Sequence, residues 1–299
     1  MISQDSSAAD SSEVQSLMPV HRRRARFRVR GNELAILGAV VVVALVLLAI
    51  FGPRLAPYDP YKLSFTEKLK QPSQDHWFGT DEAGRDIFSR VLHGTRISLR
   101  VAAIVVTIAA GIGVTLGTVA GFYGGWVDDI VMRVADVFMA FPGLVLAMAV
   151  SAAVGASIEA AIVAVSFVWW PVYTRLTRGQ VLAIREEVYV QAARSIGASD
   201  GRIMMRHVLP NIFSVLLVRM TMDIGYAILY TSSLGFIGLG AQEPMPEWGR
   251  MVATGRRWIL DHSYYSTFPG VAIFITVLAF TWLGDALRDW LDPRMRYGQ

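Results

Sequence analysis

Six long apolar runs dominate the chain, and each approaches the length of a membrane-spanning helix. They cover residues 34–51, 101–123, 137–154, 160–174, 224–242 and 263–284. A hydrocarbon core requires about 20 apolar residues per helix, so the fourth run must borrow residues at both ends, and the fifth must begin further back, near Asn211. Buried helices of a soluble protein would show a polar face. The pattern therefore predicts an all-α membrane protein with six spans, five or seven being the alternatives.

Basic residues predict the orientation of these spans. Six arginines precede the first run and one follows it: Arg22, Arg23, Arg24, Arg26, Arg28 and Arg30, and then Arg54. Because Lys and Arg are enriched in cytoplasmic segments, both termini of a six-span chain are expected in the cytoplasm. The first run is long for a secretion signal and no small-residue cleavage site follows it. Residues 34–52 are therefore interpreted as a retained anchor, preceded by a disordered basic tail at residues 1–33.

The remainder of the chain divides into a polar segment, a helical core and a short tail. Residues 53–97 are too long and too polar for a turn, and are expected on the extracytoplasmic side. Within them, four apolar residues share one helical face: Ile87, Phe88, Val91 and Leu92. This face predicts a short helix that lies on the outer membrane surface. Residues 98–290 are expected to form a five-helix core, and residues 291–299 a second cytoplasmic tail.

Two spacing patterns predict contacts of the second and third spans. Three glycines stand at four-residue intervals in the second run: Gly113, Gly117 and Gly121. Such a small-residue face lets helix backbones approach closely. Asp129, Arg133 and Asp136 fall at i, i+4 and i+7, which predicts a structural ion-pair cluster where the third span leaves the cytoplasmic interface. Pro142 should kink the same helix.

Composition excludes several classes of function. The chain is 54% hydrophobic and 17% charged, which is too few charges for the surface of a soluble domain of this length. It has no cysteine, and this excludes disulfides, thiolate metal sites and thiol catalysis. None of its lysines follows a glycine, so no ATP-binding P-loop is present, and it has no His-Glu-x-x-His sequence. The Gly-x-Ser-x-Gly string at residues 197–201 follows a helical pattern and not a strand, so it is a chance match. We predict neither catalysis nor a metal site.

The segment at residues 181–211 holds the candidate functional residues. Five small or apolar residues share one helical face: Val188, Tyr189, Ala192, Ala193 and Ile196. Gly197 can end that helix in the left-handed conformation, Ser199 can cap a second short helix, and Pro210 closes the unit where the fifth span starts. The pattern predicts a cytoplasmic helix–turn–helix with an exposed small-residue patch. An amphipathic loop resting on lipid headgroups is the alternative.

The same segment resembles a known loop. Gln191-Ala192-Ala193, Gly197 and Leu209-Pro210 are similar to the "EAA" loop of ABC-importer permeases, which forms the coupling helix that docks into a groove on the ATPase subunit. The resemblance implies an ATPase-coupling role for eight residues: Gln191, Ala192, Ala193, Gly197, Ser199, His207, Leu209 and Pro210. Gln191 stands where the family usually has Glu, and His207 where it has an aliphatic residue. The missing carboxylate removes any salt bridge at position 191 and leaves the docking surface in place.

Further motifs resemble the C-type permease subunit of the dipeptide/oligopeptide/nickel ABC importers. They include Phe78-Gly79-Thr80-Asp81, Gly84-Arg85-Asp86, the stretch at 206–211, the stretch at 235–240, and Glu247-Trp248-Gly249. The resemblance implies a six-helix type I permease fold in the cytoplasmic (inner) membrane, with no cofactor or nucleic acid bound. The implied partners are a B-type permease, two ATPase subunits that bind ATP and Mg, and an extracytoplasmic solute-binding protein. The implied cargo is a di- or oligopeptide, with glutathione, nickel or another solute as alternatives.

Arg219 and Asp223 are charges within the fifth span. If that span begins at Asn211, a rise of about 1.5 Å per residue places them about 12 and 18 Å along it, on either side of the midplane. Charges at that depth must pair at i, i+4 or line a hydrated path. Our hypothesis is that they face the translocation cavity; a mutually satisfied pair that only orients the helix is the alternative. A secondary transporter or channel would instead show inverted repeats or broken helices, which the pattern does not indicate.

Overall fold

The computed structural model describes residues 28–291. In this range ten α-helices and no extended strands follow one another along the chain. They are α1 Arg28–Leu55, α2 Ile87–Tyr123, α3 Gly125–Met139, α4 Gly143–Val154, α5 Ile158–Ile184, α6 Val188–Ser195, α7 Asp200–Ile203, α8 Leu209–Ile237, α9 Trp248–Gly255 and α10 Tyr264–Leu291. A π-helical stretch, Met204–Val208, joins α7 to α8. The predicted tails lie outside the described residues, except that residues 28–33 and 291 belong to α1 and α10.

The long apolar helices confirm the all-α, membrane-spanning fold. Five helices are long and apolar enough to cross a bilayer: Glu33–Leu55, Ile87–Tyr123, Ile158–Ile184, Asp200–Ile237 and Tyr264–Leu291. The pair α3 and α4 passes the same test as one span, but it is bent by 90° at its break.

This bend corrects two expectations for the third span. The apolar run at residues 137–154 is not one helix, and the span is broken rather than kinked. Pro142 sits at the break with no N–H to donate, and it precedes α4 in an extended conformation. The expectation of unbroken helices, used above against a secondary transporter, is therefore wrong for this span.

The close contact between α2 and α5 forms the centre of the bundle. Gly113, Gly117 and Gly121 lie directly against α5, where an added Cβ would collide with Tyr173, Thr174 and Val181. The predicted small-residue face is thus confirmed as a packing surface. Closer to the N-terminal end of α2, apolar side chains of α2 and α5 pack in one buried cluster; they include Val101, Ala102, Val105, Ala109, Ala161, Ala164 and Val165.

The polar segment that follows α1 covers one end of the bundle. We call residues 56–86 the cap and this end the cap face; the opposite end, where α5 stops and α6 begins, is the loop face. Backbone hydrogen bonds close the cap on itself, such as those from Ser64 to Ala83 (3.1 Å) and from Leu69 to Asp81 (3.0 Å). The cap is tied to the far end of the sequence as well, because the Trp258 indole donates to Glu82 at 2.9 Å.

The interfacial helix expected near residues 86–92 is not a separate element. Its residues form the first turns of α2, which continues to Tyr123. Ser89 and Arg90 are buried along with Ile87 and Val91. The cap packs over both sides of this helical start, so the segment cannot lie on a membrane surface.

The ion-pair cluster predicted within the third span is wrong in its partners. Asp136 pairs with Arg175 of α5, and Asp128 pairs with Arg178 of α5 at 2.5 Å. Among the described residues, Asp129 and Arg133 take part in no salt bridge and both are exposed. Arg178 meets Asp128 with two parallel hydrogen bonds, so the ion pairs of α3 run to α5 and not along α3.

Candidate functional site

The loop face carries α6, whose outer side presents an apolar patch. The α6 patch consists of Val188, Tyr189, Ala192 and Ile196, all exposed, with Ile196 exposed to 86%. On the inner side of the helix Val190 is fully buried. A two-turn helix has little stability of its own, so the contacts of its inner side hold it against the bundle while the apolar outer side stays uncovered.

Ala193 does not belong to the α6 patch. It is buried and packs with Val190, Ile203 and Val208. Neighbouring residues of an α-helix point about 100° apart, and the bundle covers the side on which Ala193 lies while Ala192 stays exposed. The prediction that both alanines meet a partner is wrong for Ala193, which is small because the bundle beneath it leaves no room.

Gly197 has the left-handed backbone that the sequence predicted, with a φ of +82°. The helix is closed by a bond from the Ala198 N–H to the Ala193 carbonyl (3.1 Å), next to one from Gly197 to Arg194 (3.0 Å). An added Cβ at Gly197 would meet no atom within 4 Å. Gly197 is therefore required by backbone conformation and not by space.

The predicted second short helix is the beginning of a much longer one. Ser199 occupies the N-cap position of α7 in extended backbone, but its hydroxyl makes no capping hydrogen bond. From Asp200 the helix continues to Ile237. Pro210, near the start of α8, has no N–H, and the π-helical stretch just before it absorbs the missing hydrogen bond.

The remaining loop residues hold α6 against α8. The ring of His207 lies 6.5 Å from that of Tyr189, and Leu209 packs on the buried cluster below Ala193. The Gln191 amide donates to the carbonyl of Glu186 at 3.0 Å. A Glu side chain could not donate this bond when ionised, so the amide at position 191 closes the turn that leads into α6.

Arg219 and Asp223 form the i, i+4 ion pair that the sequence allowed. The Arg219 Nε lies 2.9 Å from the Asp223 Oδ2. The Asp223 side chain is 4% exposed and that of Arg219 is 44% exposed. Asp223 is thus enclosed, and only the guanidinium of Arg219 is accessible at the surface of the chain.

Sequence reasoning missed a buried charge network on the cap face. Asp81 accepts from the Arg85 Nε at 2.6 Å, and Glu243 lies 2.8 Å from Arg85 and 3.4 Å from the fully buried Arg90. Burial opposes the charge of Arg85, but the carboxylates of Asp81 and Glu243 outweigh it and raise the pKa of Arg85. Arg85 and Arg90 lie close together in the sequence. No residue near them indicated Glu243 as their partner, because Glu243 lies far along the chain.

Glu247 is a second cap-face residue without a sequence assignment. It caps α9 by accepting from the backbone of Gly249 (3.0 Å) and Arg250 (2.9 Å). Hydroxyls of Ser98 and Ser232 add weaker contacts. Burial raises the pKa of Glu247 despite these bonds. Within residues 28–291, no group of three or more His, Asp or Glu residues is arranged to hold a metal ion.

Protein-family models match most of the chain. Residues 113–297 match the family model of the binding-protein-dependent transport system inner membrane component. Residues 22–72 match the N-terminal TM domain of oligopeptide transport permease C. The first match covers more than half of the chain, including α6 and its loop.

Individual relatives agree with these matches. A probable D,D-dipeptide transport system permease protein, DdpC, of Escherichia coli (strain K12) is 48% identical, covering 89% of both chains. The dipeptide transport system permease protein DppC of Alkalihalophilus pseudofirmus is 43% identical over 92% of this chain and 90% of its own. The glutathione transport system permease protein GsiD of Pectobacterium atrosepticum is 45% identical over 89% and 88%.

A solved structure supports the fold. The chain is similar to the MetNI methionine ABC transporter with a TM-score of 0.55 and 19% identity, over 68% of this chain and 96% of the other. At that identity the likeness concerns the fold alone. The family models and the relatives show that the chain belongs to the binding-protein-dependent transport system inner membrane components, among the C-type permease subunits of the dipeptide and oligopeptide ABC importers.

Proposed function

We propose that this permease forms half of the translocation pore of an ATP-driven importer of short peptides and couples to separate ATPase subunits through the α6 patch. The second half is a B-type permease, and an extracytoplasmic binding protein delivers the cargo. ATP and Mg are bound by the ATPase subunits. Relatives that carry dipeptides, D,D-dipeptides and glutathione support a peptide cargo; nickel and other solutes are the alternative.

The observation that carries the proposal is the uncovered α6 patch. Its four residues stand out from the loop face, and Met205 beside them is exposed as well. A contiguous exposed apolar surface with polar surroundings is typical of a protein contact. A helix laid into a groove of a partner is a common mode of such recognition.

The charge distribution supports a cytoplasmic loop face. Arg185, Arg194, Arg202 and Arg206 all lie in or beside the loop between α5 and α8, and three of them are exposed. The positive-inside rule then puts this face in the cytoplasm and the cap face outside. If the broken α3–α4 pair counts as one span, the chain crosses the membrane six times and both chain ends lie in the cytoplasm.

The Arg219–Asp223 pair belongs to the same proposal as a candidate for the translocation path. Asp223 is satisfied by Arg219, which leaves the guanidinium as the accessible group. We place it on the path, where it can meet the carboxylate of a peptide. A pair that only orients α8 is the alternative.

The experiment compares two apolar-to-arginine changes on opposite faces. Ile196→Arg puts a charge at the outer end of the α6 patch, and Leu260→Arg makes the same change at a highly exposed residue near α9. In complexes purified from detergent, Ile196→Arg should lose the ATPase subunits and Leu260→Arg should retain them. If Ile196→Arg keeps the ATPase at wild-type stoichiometry, the α6 patch rests on lipid and the coupling role is rejected.

A further inference from the structure

A second ion pair lies at membrane depth and is far more exposed than the Arg219–Asp223 pair. It joins Asp136 of α3 to Arg175 of α5, with the two side chains 60% and 50% exposed. Sequence reasoning had assigned Asp136 to a clamp within its own helix. The pair is therefore unexplained by packing, because neither side chain is enclosed.

The depth of Arg175 follows from the packing of α5 on α2. The preceding residue, Thr174, lies against Gly117. Gly117 is about 24 Å along α2 from Val101 and about 9 Å from Tyr123, at about 1.5 Å per residue. Val101 and Tyr123 are the ends of the apolar run of α2. The Asp136–Arg175 pair thus lies within the depth of the apolar run, about a quarter of its length from the loop face.

The cost of a charge at this depth argues against lipid as the surroundings of this pair. Ionised side chains at such depth face the interior of a bundle, a water-filled cavity or another subunit. The same side of α5 is open above and below Arg175. Val172, Arg175, Gly179 and Ala183 recur at helical spacing, none of them is buried, and an added Cβ at Gly179 would meet nothing within 4 Å.

Resting on the function proposed above, we infer that the Asp136–Arg175 pair lines the hydrated translocation path and is a transient binding site for a zwitterionic solute. A short peptide carries one free carboxylate and one free ammonium. Arg175 offers a guanidinium suited to the carboxylate, and Asp136 a carboxylate suited to the ammonium. The two residues neutralise each other when the path is empty, so no net charge needs solvation at that depth.

A matched pair on the same two helices provides the control. Asp128 of α3 and Arg178 of α5 meet at 2.5 Å, with side chains 13% and 31% exposed. Arg178 adjoins both Gly117 and Gly121, so it lies about one helical turn nearer the loop face than Arg175. This pair joins the same two helices, and it is more enclosed. Loss of either pair should loosen α3 from α5. Only loss of the Asp136–Arg175 pair should change the preference of uptake for a charged solute over its uncharged form.

Thiol accessibility tests the location. The chain has no cysteine, so Gly179→Cys and Val172→Cys report on the open side of α5 with the ion pair intact. In membrane vesicles containing the whole importer, a small charged thiol reagent should label both, and excess dipeptide should slow the labelling. Val40→Cys on the exposed side of α1 and Ala164→Cys in the core should stay unlabelled. Protection of both α5 positions in every nucleotide state would place the pair at a subunit interface and overturn the inference.

Uptake tests the chemistry. A dipeptide, its C-terminal amide and its N-acetyl form are compared in vesicles, with Arg175→Gln and Arg178→Gln at equal membrane levels. Arg175→Gln should reduce the preference for the free carboxylate over the amide by about tenfold, the loss expected for one charge-assisted hydrogen bond. Delivery by the binding protein is the same in both variants, so Arg178→Gln should keep the wild-type ratio.

Three further outcomes separate the possible failures. An equal fall in uptake of all three solutes in both variants would make Asp136–Arg175 a structural pair only. The exchanged pair, Asp136→Arg with Arg175→Asp, keeps the link between α3 and α5. Full return of the wild-type ratio in that variant would also overturn the inference. If the wild-type importer takes up none of the peptides while its ATPase still couples to another solute, the proposed cargo fails and not the location of the pair.

Discussion

The Nη1 of Arg85 lies 2.8 Å from the carboxylate of Glu243, and this contact locks the cap to the loop between α8 and α9. Arg90, which is fully buried, shares the same carboxylate at 3.4 Å. Together with Asp81, which lies 2.6 Å from Arg85 and 3.5 Å from Arg90, Glu243 neutralises two guanidiniums that are almost completely removed from water. The Arg85–Glu243 contact and the Trp258–Glu82 hydrogen bond both tie the cap to later parts of the chain.

Glu243→Gln should release the cap. The change leaves two buried guanidiniums short of a negative charge, and breaking a buried pair from one side costs about 3 kcal/mol. We expect a lower midpoint of thermal unfolding in detergent and faster proteolysis within residues 56–86. Asp75→Asn is the control, since it removes one carboxylate from an exposed cap residue. Equal behaviour of the two variants would show that the network does not hold the cap.

Gly197→Val should abolish transport without preventing insertion. At a φ of +82° a side chain costs about 1 kcal/mol or more, and a β-branched one strains the turn enough to tilt α6. Uptake and ATPase co-purification should fall while the membrane level stays near normal. Gly111→Val is the control, because Gly111 is helical and faces open space. Normal uptake by Gly197→Val would contradict the coupling role of this turn.

Ala192→Arg and Ala193→Arg should fail in different ways. Ala192 is exposed, so an arginine there should release the ATPase subunits and leave the unfolding temperature unchanged. Ala193 is buried against Val190 and Ile203, so its arginine variant should lower stability by several kcal/mol. Subunit stoichiometry and thermal unfolding measured on both variants check this. Equal unfolding temperatures for the two variants would contradict the expected difference between Ala192 and Ala193.

Arg219→Cys and Asp223→Cys should differ in labelling by a small charged thiol reagent. The Arg219 side chain is accessible and that of Asp223 is enclosed. We expect Arg219→Cys to react in at least one nucleotide state, and Asp223→Cys to react slowly or not at all. Absence of labelling at position 219 in every state would show that this pair is buried in the assembly, and its place on the path would be wrong.

Gly117→Leu should destabilise the bundle more than Gly111→Leu. The added side chain at position 117 would enter the backbone of α5 at Thr174, and overpacking of this kind costs about 3 kcal/mol. At position 111 it would meet open space. Thermal unfolding of the two variants in detergent measures the difference. Equal midpoints would mean that α2 and α5 separate easily.

Local features of the chain were predictable because they rest on neighbouring residues. The spans follow from apolar runs, since the hydrocarbon core rewards them whatever their partners. The glycine face of α2 follows from its four-residue interval, and the left-handed turn at Gly197 from the missing Cβ. The i, i+4 pair of Arg219 with Asp223 also formed as expected, because the two residues already share a helical face.

Contacts between distant segments could not be predicted in this way. The sequence alone determined that Asp136 must find a positive partner, but the tertiary structure chose Arg175 of α5 over Arg133 of its own helix. Tertiary packing also decided three other features: the broken third span, the burial of Ala193 beside an exposed Ala192, and the shared acceptor at Glu243. In each case the feature is stabilised by a contact or a burial that exists only after the helices have packed. No local sequence pattern encodes which side of a helix its neighbours will cover.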